Sequence, residues 1–71
     1  MEKTRGQIIR GGRELKELTQ AELGKKVGVN ASAIGMIERG ERSGLRLLLP
    51  LASELDLSAQ RLWRAPVTLE G

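Results

Sequence analysis

The residues able to do chemistry in this chain are cations, amides and hydroxyls, and the informative ones fall between Gln20 and Arg46. In the stretch "GVNASAIGMIERG", residues 28–40, a spacing of 100° per position puts Ser32, Gly35, Met36 and Arg39 on one stripe and Ala33, Ile34 and Ile37 on another. The isoleucine stripe is the inward one. A methionine on a helix usually fills a core, but Ile34 and Ile37 already take the inward side, which turns Met36 outward. The outer face then carries a hydroxyl able to hydrogen-bond a purine edge and a thioether suited to a thymine methyl. Gly35 either lets the helix axis lie deep in a groove or is simply tolerated, at a cost of about 1 kcal/mol. Arg39, Arg42 and Arg46 surround Gly40, Ser43 and Gly44, which admit close backbone approach. Singly each is an ordinary solvated cation; together they form a candidate phosphate clamp.

Composition narrows the classes further. His, Cys, Tyr and Phe are absent and there is one Trp, so the commonest general base, metal ligands and thiol nucleophile are all missing. Neither catalysis, a cofactor nor a metal site is expected. Without cysteine no disulfide can staple the fold, and a cytoplasmic location is expected. The longest apolar run, residues 47–52 with Pro50 inside it, falls far short of the roughly 20 residues of a membrane span. No signal-peptide core follows the N-terminus. Seventy-one residues support one core, with no room for a separate ligand-sensing domain. The net charge of +3 is uneven: residues 1–46 hold ten Lys/Arg against six acids, and residues 47–71 hold two against three. The basic part is the one expected to meet a polyanion.

The elements that must position these residues are helical, because Leu, Glu, Arg, Lys and Ala dominate and β-branched residues are scattered. The class expected is all-α. A first segment runs from about Thr4 to Leu15, and Gly11-Gly12 in its middle requires tertiary support. Thr19-Gln20-Ala21-Glu22 has the form of a capping box, with Leu18 and Leu23 as its hydrophobic staple. The helix it opens stops at Gly28. Asn30 caps the next, from about Ala31 to Arg39, and two short helices joined this tightly make a helix-turn-helix. Leu48, Leu51, Ala52 and Leu55 mark a fourth helix, starting no earlier than about Leu47 because Pro50 fits only its first turn. Ser58 caps a short fifth helix through Trp63, which Pro66 ends. One domain is expected over residues 4–65, with its helix-turn-helix at about 19–39 and a loose tail at 66–71.

From about Ile9 to Trp63 the chain resembles the phage repressor and Cro type of helix-turn-helix, the XRE family of bacterial and phage regulators. The resemblance is carried by Leu18-Thr19-Gln20, Glu22-Leu23, Val27-Gly28-Val29, Ile34, Ile37-Glu38-Arg39-Gly40, Leu51-Ala52, Leu55 and Ser58. It implies a compact five-helix lambda-repressor-like domain whose third helix enters the major groove of double-stranded DNA. It also implies a homodimer on a palindromic operator, joined through the C-terminal region.

Residue by residue, the resemblance makes Gln20 a phosphate contact and a brace for the recognition helix. It makes Ala31, Ser32 and Met36 the base-reading positions, with Asn30 beside them. Arg39, Arg42 and Arg46 would meet the sugar-phosphate backbone, and Arg46 matches a position that can reach a narrowed minor groove. Arg13 and Glu38 match a buried ion pair. Three departures stand out: Gly24 replaces the usual Ala, Gly44 stands near a common Pro, and no Gln, Asn, Arg or Lys occupies the reading positions. The function implied is a sequence-specific transcriptional regulator, with repression as its expected sign. The alternatives are an antitoxin, whose toxin partner would cover apolar surface around Trp63 and Leu69, and a helix-turn-helix kept only for protein contacts.

Overall fold

Four of the five helices begin at a hydroxyl or amide that caps them. In the structure, a computed structural model describing residues 2–68, Thr4 and Gln7 form a capping box that opens α1 (Arg5–Leu15). Thr19 and Glu22 form the expected one at the start of α2 (Gln20–Val27), which ends on Gly28 in the left-handed region at φ 83°. The Asn30 side chain accepts from the Ala33 N–H and opens α3 (Ala31–Glu38). Ser58 caps α5 (Ala59–Arg64) in the same way. The exception is α4 (Leu48–Leu55), which is entered through a 3-10 turn over Leu45–Leu47. Pro50 is its third residue, where the missing N–H has no helical acceptor to lose. The described residues contain no strand.

No eight-residue helix is stable alone; burial holds these. The core joins Ile8 and Ile9 of α1, Leu23 of α2, Ile34 and Ile37 of α3, Leu48, Leu51, Ala52 and Leu55 of α4, and Leu62 of α5. Of the expected inward stripe of α3, Ile34 and Ile37 are in it, while Ala33 is only partly buried and lines surface hollows; the expected stripe of α4 is all in it. Gly12 is buried against Leu55 and Leu57, the tertiary support that the double glycine requires.

Two glycines set how the helices cross. α1 passes so close over the end of α3 that a Cβ on Gly6 would strike the carbonyl oxygens of Ile37 and Glu38. A Cβ on Gly24 would lie 2.5 Å from the Val29 carbonyl oxygen, and the Val29 N–H donates to the Gly24 carbonyl at 2.8 Å. The turn between α2 and α3 thus rests on the backbone of α2, and the alanine common at this place would force it outward.

Two expectations need adjusting. α3 ends at Glu38, with Arg39 as its cap and not its last helical residue. Residues 66–68 are docked, because the Pro66 carbonyl accepts from the Arg5 N–H at 2.8 Å and Val67 and Thr68 lie against Gly40. The rest of the expected loose tail, residues 69–71, lies outside the described residues. Among the described residues, no helix is long and apolar enough to cross a membrane.

Candidate nucleic-acid interface

The attitude of α3 is fixed at its last residue. Arg13 of α1 grips Glu38 with two hydrogen bonds, Nε to Oε2 at 2.6 Å and Nη2 to Oε1 at 3.2 Å, and donates a third to the Leu18 carbonyl at 2.8 Å. Gln20, the first residue of α2, donates its amide to the same Glu38 oxygen at 3.1 Å. The Glu38 side chain is 4% exposed. Its hydrogen bond raises the Arg13 guanidinium above its ordinary pKa. Removing one member of so buried a pair strands the other charge, so this knot orients α3 against α1 and α2 more than it stabilises them. The expected Arg13–Glu38 pair is present, and Gln20 makes the expected brace while leaving its amide oxygen free.

Around α3 the candidate residues other than Ala31 fall into two groups. Asn30, Ser32, Met36 and Arg42 line one hollow of about 590 Å³. An apolar cleft of about 240 Å³ adjoins it through Val29, Ala33 and Arg42 and brings in Arg46. Ser32, Arg42 and Arg46 are exposed, and Ala31 and Met36 are partly so. Neither Arg42 nor Arg46 has an ion pair among the described residues. Asn30 has spent its side-chain oxygen on the cap, leaving the amide N–H pair as its outward chemistry.

Gln20 and Arg39 form the second group, on either side of Gly35. A Cβ on Gly35 would meet Arg39 Nη1 at 3.0 Å and Gln20 Nε2 at 3.4 Å. Gly35 is buried beneath these two polar side chains. Its place on an open outer stripe is therefore corrected: the glycine makes room for its own neighbours. Helical geometry assigned the angle correctly but had no account of the chains that fold over it. Arg39 in turn donates to Glu41 at 2.7 Å, which holds the Glu41 carboxyl below its usual range and raises Arg39. Arg39 is thus a cation already engaged.

Gly44 sits in the left-handed region at φ 68°, which proline, locked near −65°, cannot adopt. The loop after α3 takes a different path here from one built on proline. It also involves a residue that sequence reasoning missed. Arg5 is 6% exposed, and its guanidinium donates to the carbonyl of Ser43, between Arg42 and Arg46. A signal was present: Arg5 stands three and four residues before Ile8 and Ile9, on the inward stripe of α1. Among the described residues no cluster of acids could hold a metal.

A family model for helix-turn-helix proteins matches residues 9–62. Comparison with curated protein sequences returns no match. Among solved structures, the P22 c2 repressor protein in complex with synthetic operator 9T in the presence of Tl+ is 38% identical, with a TM-score of 0.79 over 84% of this chain and 92% of that one. SinR, the master regulator for biofilm formation, in complex with DNA, is 31% identical, with a TM-score of 0.73 over 84% of this chain and 98% of that one. The capped α2–turn–α3 unit, the knot at Glu38 and these likenesses agree: the chain belongs to the helix-turn-helix family, in its phage repressor and Cro-like XRE branch.

Proposed function

We propose that this protein is a sequence-specific DNA-binding transcriptional repressor, acting in the cytoplasm as a homodimer on a palindromic operator. Its working unit is the domain over residues 4–65, and it is a binding protein and not an enzyme. α3 enters the major groove; Ser32 and Met36 read bases, with Ala31 against a methyl group and Asn30 donating its amide. Gln20, Arg42, Arg46 and, once released from Glu41, Arg39 contact the backbone. The observation that carries this reading is the hollow in which Asn30, the cap of α3, and Ser32 and Met36 within it share a wall with Arg42, which has no ion pair among the described residues. On this reading, base-edge chemistry and phosphate chemistry lie side by side. The likeness to two regulators solved on DNA supports the same partner. Exposed Leu45, Leu49 and Trp63 offer apolar surface for self-association. Of the surface an antitoxin reading relies on, Leu69 lies outside the described residues.

Titrating operator DNA at several salt concentrations tests the reading. Arg42 and Arg46 from two protomers make four backbone cations, for a log–log slope of about −3.6; engagement of both Arg39 side chains takes it to about −5.4. Arg42→Ala weakens all sequences alike, whereas Ser32→Ala and Met36→Ala change which bases are preferred. Affinity that ignores salt, or base preferences untouched by Ser32→Ala and Met36→Ala, would overturn it.

A further inference from the structure

We propose that Arg5 is a positioning residue for DNA binding: its buried guanidinium holds the Ser43 carbonyl against the end of α5 and so presets where Arg42 and Arg46 meet the DNA backbone. The inference rests on reading those two arginines as phosphate contacts.

A buried guanidinium is costly unless it is fully hydrogen-bonded, and an apolar chain of similar volume often fills such a site as well or better. Arg5 has no ion pair among the described residues. What it does that a methionine cannot is bind several carbonyls at once through a planar fork. Nε donates to Leu62 at 2.9 Å, one terminal nitrogen to Ser43, and the other reaches the Trp63 carbonyl at 3.5 Å. Leu62 and Trp63 lie in the last turn of α5, where carbonyls lack helical partners and a cation is favoured. Arg5 therefore ties the loop at Ser43 directly to the last turn of α5.

The loop it holds needs such a tie. At its start, the Glu41 and Arg42 N–H groups donate to the Met36 carbonyl at 2.8 and 3.3 Å; at its end, Leu47 N–H donates to the Gly44 carbonyl at 3.0 Å. Between them the Ser43 carbonyl points inward to Arg5. Pinning it fixes the peptide that leads into left-handed Gly44, two residues after Arg42 and two before Arg46. A loop ordered in advance loses less freedom on binding.

Arg5→Met tests this. The variant should remain folded and keep its preferred bases, while operator affinity falls about tenfold at about 0.15 M salt and the salt slope becomes shallower by about 0.9 for each phosphate no longer neutralised. Added to an Arg42→Ala, Arg46→Ala chain, Arg5→Met should cost less than about twofold more, since the two cations it positions are already absent. Equal losses in both backgrounds, with an unchanged slope, would mean a merely structural arginine and overturn the proposal. If Arg42→Ala, Arg46→Ala binds as tightly as the parent, the phosphate reading fails and takes this proposal with it. Amide relaxation of residues 41–46 in the DNA-free protein then locates the fault: a loop rigid in the parent and mobile in Arg5→Met retains the tie without its function, whereas a loop alike in both removes the tie itself. Should Arg5→Met fail to fold, Arg5→Lys, which keeps the cation but cannot span three carbonyls, takes the same measurements.

Discussion

In the proposed complex, Glu41 is a carboxylate beside an arginine that meets phosphate. It accepts from Arg39 at 2.7 Å on an exposed surface, and that contact holds its carboxyl pKa below the ordinary value. If Arg39 contacts the backbone as proposed, DNA must first displace Glu41 from it. Glu41→Gln should therefore tighten binding to every duplex by roughly two- to fivefold, the span of an exposed ion pair, and steepen the salt slope; unchanged affinity in a titration would show that Arg39 takes no part. At this scale the sequence was partly legible. Ser32 and Met36 follow from helical angle alone, because Ile34 and Ile37 leave them no inward place. The Arg39–Glu41 pair, the cover over Gly35 and the burial of Arg5 did not, because each depends on where a long side chain folds after the backbone is set. A basic residue in a basic stretch carries no mark of being buried except its register with Ile8 and Ile9.

Two glycines in successive helices predict opposite outcomes. Alanine at Gly24 gains helix propensity but sets its Cβ 2.5 Å from a backbone oxygen that cannot yield without moving the turn. Gly24→Ala should be net destabilising by about 1–3 kcal/mol. At Gly35 the nearest atom, 3.0 Å away, is the tip of the flexible Arg39 chain, so propensity decides and Gly35→Ala should stabilise by up to about 1 kcal/mol. Thermal unfolding of both checks the contrast, a shift of about 4–8 °C per kcal/mol in a domain this small. The cap of α2 makes a pH prediction. Hydrogen bonds from the Thr19 backbone and side chain lower the Glu22 pKa below its ordinary 4.5. A depressed carboxyl pKa contributes stability that is present above the unfolded value and is lost as pH falls through the folded one. Melting temperatures below about pH 4.5 should therefore fall less steeply in Glu22→Gln than in the parent. Helix starts were the most legible elements, since Thr19, Asn30 and Ser58 each announce a cap locally. The 3-10 turn at Leu45–Leu47 was not, because no residue there caps it and the turn follows from how Gly44 packs on Ile37.

At the scale of the molecule, function depends on one rigid relation: α3 held by Glu38 to α1 and α2, with the arginine loop held beside it. One protomer measures 33 × 21 × 21 Å, enough for one half-site. Half-sites one helical turn, about 34–36 Å, apart require a second copy. Family membership was legible across most of the chain because capping boxes, glycine stops and the inward stripes recur at fixed spacings. Which bases are read was not, since the reading face lacks a bidentate side chain and leaves part of the discrimination to apolar contact and DNA shape. Selection of bound duplexes from a random pool therefore tests the central claim most directly. A two-fold-symmetric consensus with half-sites about one helical turn apart is expected, and a pool that stays random after repeated selection would rule out a palindromic operator.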